Sequence, residues 1–319
     1  MANNLKYNYN LIFLFGLCIF LFVYFSSSTR DFKCSNLNEP EKVKQITEQN
    51  NLDKPNLFEA DWKSIFEVSD EQKFIRPEIL IKTAKFMIEE RKEDDEELIA
   101  FVKTLIEPPS GKPINLTVKG KSDFSQHGQT AILERILNSS RNGFFVEAGG
   151  FDGEEMSNTV FLELERGWSG LLIEPVPNFY QQLIKKNRNI YTLNACIANN
   201  QPQIAKFKVN HGLSGRNKKL SDNQHKGIGE KFHYIYVPCF PFYTIMKALG
   251  RTQIDYFSVD LEGGEFDVIS HIDYSKIDIK LFSIEWAWEE SRKKQYIDYL
   301  SLHGYRLAEI GYVDVFMIK

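Results

Sequence analysis

VEAGGFDGEEMSNTVFLELERGWSGLLIEP, Val146 to Pro175, decides how this chain folds. An apolar run ends in two glycines and an acid, a stretch with helical spacing follows, and a second apolar run stops at Glu174. Strand, glycine turn, helix, strand is the repeating unit of a parallel sheet, whose strands are buried on both faces and read as near-continuous hydrophobic runs. Outward from it the alternation continues. "GFFVEAGG" and "SGLLIEP" are strands, "SNTVFLELERG" a helix capped by Ser157 or Asn158, "VPNFYQQLIKKN" a helix and "IYTLNACIAN" a third strand. An irregular stretch runs from Asn210 to Lys231. Then "FYTIMKAL", "EFDVISHI" and "ESRKKQYIDYLSLHG" read as helices between the strands "IDYFSVDLEGG", "IKLFSIEWAW", "YRLAEIGY" and "DVFMIK". The pattern is an α/β, doubly wound, mainly parallel sheet, whose ligand belongs at the carboxyl ends of the strands.

The strand ends therefore hold the candidate cofactor residues: Glu147, Gly149, Gly150 and Asp152 on the first strand and Glu174 on the second. Gly149 and Glu174 are 25 positions apart, close to the roughly 20 that separate a glycine turn from the acid that accepts ribose hydroxyls. "AGGFDG" is not G-x-G-x-x-G, and Glu147, Asp152, Glu154 and Glu155 would repel a pyrophosphate. A cationic adenosine cofactor, S-adenosylmethionine, fits both the acids and the spacing. The plainer reading, ordinary turn residues of a βαβ unit, stands beside it.

Transfer of a methyl group to a hydroxyl needs an in-line approach and a base for the proton. Asp260 and Glu262 in "SVDLEGGE" and Glu285 in "SIEWAW" end neighbouring strands and are the catalytic candidates. In an extended run the first two face the same way, which raises the pKa of one. Each also has a structural reading: closing the pocket, capping the next helix, or pairing with Arg292. No histidine or complete oxygen set adjoins them in sequence, so no metal is expected.

Beyond the sheet, the 319 residues carry a net charge of -4, with 39 basic against 43 acidic side chains, which offers no global field for a polyanion and argues against nucleic acid. Leu11 to Phe25 is an uninterrupted apolar run, about 22 Å as a helix. It reads as a single-pass signal anchor spanning 11–28, with a cleaved signal peptide as the competitor. Residues 1–10 form a short tail, 29–110 a polar stem with short helices, and 111–319 the α/β domain. Within the stem, "SDEQ" from Ser69 is a capping box and "PEILIKTAKFMIEERK" and "DDEELIAFVKTLI" are helices. Basic residues after the run argue against a cytosolic N-terminus. The sequons at Asn115 and Asn138 argue for a lumenal domain, which is the reading preferred. In a lumenal domain Cys196 with Cys239 is the candidate disulfide, with free buried cysteines as the alternative.

Three stretches, "FVEAGGFDGEEMSNT", "GLLIEPVPNFYQQL" and "IDYFSVDLEGGEFDVI", resemble the FkbM type of S-adenosylmethionine-dependent methyltransferase. "SQHGQ" (Ser125 to Gln129), "KNR" (Lys186 to Arg188), "CFP" (Cys239 to Pro241) and the apolar N-terminal run resemble its Star-like, membrane-anchored subgroup. The resemblance implies a seven-stranded Rossmann-like sheet with its last strand antiparallel. It implies a cofactor site at Glu147, Gly149, Asp152 and Glu174, with Asn194 and Ala195 approaching the adenine. For the subgroup it implies a role in moving growth-factor precursors of the epidermal type through the endoplasmic reticulum, Golgi and endosomes, without need for methyl transfer. Two functions follow: methylation of a glycan or other hydroxyl acceptor along the secretory route, or a catalytically silent membrane-tethered escort for cargo.

Overall fold

The computed structural model describes residues 77–209, 214–216, 233–286 and 289–319. The apolar run at 11–28, the capping box at Ser69 and most of the irregular stretch lie outside these residues. Among the described residues no helix is long and apolar enough to cross a membrane.

Two helices come first, α1 (Pro77–Ile88) and α2 (Glu96–Leu105). Pro77 opens α1, where a missing N–H leaves nothing unpaired, and Asp95 caps α2 by accepting the Leu98 N–H at 2.9 Å. Phe86, Leu98 and Val102 are fully buried in the main core, so the two helices assigned to the stem by sequence pack against the sheet. After β1 (Ile106–Glu107) and α3 (Gln129–Leu137), the opening motif folds as β2 (Phe144–Ala148), α4 (Val160–Arg166) and β3 (Ser169–Ile173). Next come α5 (Pro177–Leu183), β4 (Tyr191–Leu193), β5 (Cys196–Ala198), β6 (Gln203–Val209), β7 (Ser214–Arg216) and β8 (His233–Pro241). The remainder is α6 (Phe242–Leu249), β9 (Gln253–Ile254), β10 (Tyr256–Val259), α7 (Glu265–Ile269), β11 (Asp278–Ile279), β12 (Leu281–Glu285), α8 (Glu290–Leu302), β13 (Arg306–Ile310) and β14 (Asp314–Ile318).

The main sheet has the order β1-β4-β3-β2-β10-β12-β14-β13. Five central strands run parallel, β14 is antiparallel to both β12 and β13, and β1 is antiparallel to β4. The sheet is thus mixed and has an eighth strand beyond the seven expected. Alternation along the strands divides the core. Phe144, Val146, Phe257 and Phe282 face α6, α7 and α8, whereas Phe145, Tyr256, Leu281 and Phe316 face α3, α4 and α5. Each such buried side chain contributes about 1.5–3 kcal/mol. Gly170 is required by this packing, because a Cβ there would lie 2.2 Å from the Phe145 ring.

Two local expectations are corrected. The third strand breaks at Asn194, whose side-chain amide donates to the carbonyls of Glu174 and Pro175; Cys196–Ala198 leaves the main sheet and pairs with β8 in a four-stranded sheet, β5-β8-β6-β7. Neither Ser157 nor Asn158 caps α4, whose N-cap is Thr159, because both are drawn instead to Glu147.

Candidate active site

The chain turns sharply where β2 meets β10. Gly149 has φ 92°, and a Cβ on it would lie 2.0 Å from the Asp260 carbonyl oxygen, so only glycine lets the two strand ends come this close. The Gly149 and Gly150 N–H groups both donate to the Ile173 carbonyl, at 3.0 and 3.2 Å. Phe151, held at φ 46°, donates its N–H to Glu174 Oε2 at 2.9 Å, and Val176 donates to Oε1 at 2.7 Å. Glu174 is only 4% exposed. Burial pushes its carboxyl up to about 8, against the pull of those two N–H groups.

Above the turn opens a cleft enclosing about 1070 Å³, counting solvent at its mouth. Gly149, Gly150 and Glu174 line it, as do Asp260, Glu262 and Glu285, so both halves of the sequence-derived site meet in one place. Apolar surface comes from Phe151 and Phe179, whose rings meet edge to face at 4.5 Å, with Pro175, Ile197 and Phe207. Asp260 is raised by burial first and then by the carboxyls of Glu285 and Glu262; Glu285 is raised by burial and then by Glu262 and Glu265, against the pull of a hydrogen bond with Asp260. Glu262 is raised by burial and by Glu265. It sits at φ 53° in a turn beyond the end of β10, so it does not share an extended run with Asp260 as expected.

Glu265 was not singled out by sequence. Its Oε1 accepts the Leu261 and Gly263 N–H groups, and it offers an oxygen within 4.8 Å of oxygens of Asp260 and Glu285. These three carboxylates form a set able to hold a hard cation, which sequence spacing did not anticipate.

Residues 147–307 match the model of the methyltransferase FkbM domain, about half of the chain. The chain belongs to the FkbM methyltransferase family. Among solved structures, the human methyltransferase 10 domain containing protein is 12% identical, with a TM-score of 0.31 over 71% of this chain and 97% of that one. No curated protein matches the chain.

In this FkbM domain four expected cofactor residues lie elsewhere. Glu147 accepts hydrogen bonds from the Ser157 hydroxyl (2.9 Å), the Asn158 N–H (2.7 Å) and the Thr159 hydroxyl (2.5 Å) in a buried network, and does not line the cleft. Arg188 joins that network, donating to Glu163 at 2.8 Å and to Thr159 Oγ1 at 3.0 Å. Asp152 braces its own turn by accepting the Glu154 and Glu155 N–H groups, with Lys186 at 3.2 Å. Asn194 holds the Glu174 backbone and Ala195 is buried in the core; their neighbours Cys196 and Ile197 line the cleft instead. Cys196 and Cys239 are joined as a disulfide across the paired strands β5 and β8. Asn115 and Asn138 are both exposed.

Proposed function

We propose that the FkbM domain binds S-adenosylmethionine in this cleft and transfers its methyl group to a hydroxyl on a glycan or other acceptor. Methyltransferase domains generally use this cofactor, whose sulfonium supplies an electrophilic methyl. The observation that carries the reading is Glu174, a residue lining the cleft beside a glycine turn, whose buried carboxyl accepts one N–H on each oxygen. Each oxygen retains a lone pair for a ribose hydroxyl. The residues fit the group in a second way: five carboxylates and no lysine, arginine or histidine line the described cleft, which suits a sulfonium and an ammonium. Asp260 and Glu285 share the opposite edge; burial raises Glu285 to about 8 and Asp260 in the same direction, which suits a carboxyl of this pair to take a proton from the acceptor.

The full reading places the chain as a single-pass protein anchored at 11–28, its domain in the lumen of the endoplasmic reticulum or Golgi, or further along toward endosomes and the cell surface. The disulfide supports an oxidising compartment. Asn115 and Asn138 then carry glycans, and removal of N-glycans shifts the mobility of the cell-made chain; an unchanged mobility counts against the lumenal placement. The test of activity is transfer of labelled methyl groups from S-adenosylmethionine to secretory glycoproteins by wild type, with loss of label in Asp260→Asn. Equal labelling by both would remove Asp260 from the reaction.

The lumenal placement favours a second reading, because the cofactor is made in the cytosol. It is the Star-like one, a silent escort for epidermal-growth-factor-type precursors. Depletion of the protein then holds such a precursor in the endoplasmic reticulum, and normal export speaks against it.

A further inference from the structure

S-adenosylmethionine carries a carboxylate as well as its two positive groups, and the cleft is poorly suited to that third charge. Glu155, Glu174, Asp260, Glu262 and Glu285 line it, and no cationic side chain is among the described lining residues. Cations around it are committed: Lys186 lies 2.6 Å from Glu154 and 3.2 Å from Asp152, Arg188 is buried against Glu163, and Arg292, beside Gly263, pairs with Glu289 at 2.7 Å. Backbone donors at the turn are committed too. Gly149 and Gly150 donate to Ile173, Phe151 donates to Glu174, and Leu261 to Glu265. The Ser157 hydroxyl donates to Glu147. Gln126 remains, the lining side chain with an amide N–H₂ to give.

Its placement agrees with this chemistry. Ser125 forms an isolated parallel bridge with Met156, which tethers the segment to the loop after the glycine turn. Three residues on from Gln126, Gln129 donates to Asp314 at 2.9 Å, at the start of β14, and accepts the His127 N–H at 2.8 Å. In the sheet order, β3 with Glu174 lies on one side of β2, and β14 lies on the other. Gln126 and Glu174 therefore approach the glycine turn from opposite flanks, as the methionine and ribose ends of one extended ligand require.

We propose that the side-chain amide of Gln126 donates to the cofactor carboxylate, so that it is a neutral donor standing where a cation would otherwise be needed. The inference rests on the cofactor reading above. It gives the "SQHGQ" segment a role: Ser125 and Gln129 clasp the segment at each end and Gln126 reads the ligand.

Calorimetry on the full-length chain tests it with two ligands, S-adenosylmethionine and its decarboxylated analogue. Gln126→Ala weakens S-adenosylmethionine about tenfold, the loss of one hydrogen bond to a charged group, and leaves the analogue unchanged. Gln126→Glu weakens S-adenosylmethionine further and tightens the analogue. Gln126 is exposed, so neither change disturbs the core. Equal losses for both ligands, or no loss for either, overturn the proposal while leaving the cofactor reading intact. Failure of the wild-type chain to bind either ligand overturns both.

Discussion

Two groups of acids lie near the ends of neighbouring strands, one around β2 and one at β10 and β12, and they are handled in opposite ways. Around the β2 turn, Glu147, Asp152, Glu154 and Glu163 are met by Arg188, Lys186 and a set of hydroxyl and N–H donors. Burial alone would raise Glu154, but Lys186 and the Thr117 and Val118 N–H groups hold it down at about 2. At the ends of β10 and β12, Asp260, Glu262 and Glu285 have no such cation and are all raised. Glu285 Oε2 is buried with no hydrogen-bond partner. Acids satisfied by cations hold the turn in shape; acids without a cation face the cleft and remain available for chemistry.

The largest expected effect breaks the satisfied group. Arg188→Met leaves Glu163 buried without its cation and costs about 3–5 kcal/mol in denaturant unfolding. A cost under ~1 kcal/mol, the value of a surface pair, would erase the contrast. Gly149→Ala forces a Cβ onto the Asp260 carbonyl at a left-handed φ and costs about 1–3 kcal/mol of stability, together with cofactor binding. Unchanged binding there would mean that the close approach of β2 and β10 is not part of the site.

The group without cations predicts a pH effect of smaller size. Because Glu285 holds its proton more tightly folded than unfolded, the stability it contributes is fully present below the ordinary carboxyl range of about 4.5 and is lost as pH rises through about 8; burial shifts Asp260 in the same direction. Glu285→Gln flattens that fall between about pH 6 and 9, seen as a smaller decline in unfolding midpoint. A parallel decline in wild type and variant would show that Glu285 is not raised in the fold.

Much of this was legible in the sequence. The glycine turn, Glu174 and the acids ending β10 and β12 follow from apolar runs that stop at charged residues, since strand ends of a parallel sheet converge on one edge. The four-stranded second sheet was not read, although within Gln203–Val209 burial alternates with a period of two from Ala205 onward. Its partner strand β8 lies 24 residues further on, beyond any local signal. Glu147 was misplaced for a different reason. Sequence shows that an acid stands on a strand but not to which face it turns, and here Ser157, Asn158, Thr159 and Arg188 draw it below the sheet. Phe151 and Gln126 carried no charge or glycine to mark them, and only the closed fold brings them to the cleft.

The central claim is that Glu174 receives the ribose of S-adenosylmethionine, and calorimetry at pH 7 in buffers of different ionisation enthalpy tests it most directly. Glu174 is raised to about 8, so binding that recruits its ionised form releases a proton. Wild type is expected to bind with that release, and Glu174→Ala to lose about 2–3 kcal/mol of affinity and the release together. No binding by wild type, or binding and proton release unchanged in Glu174→Ala, would contradict the account.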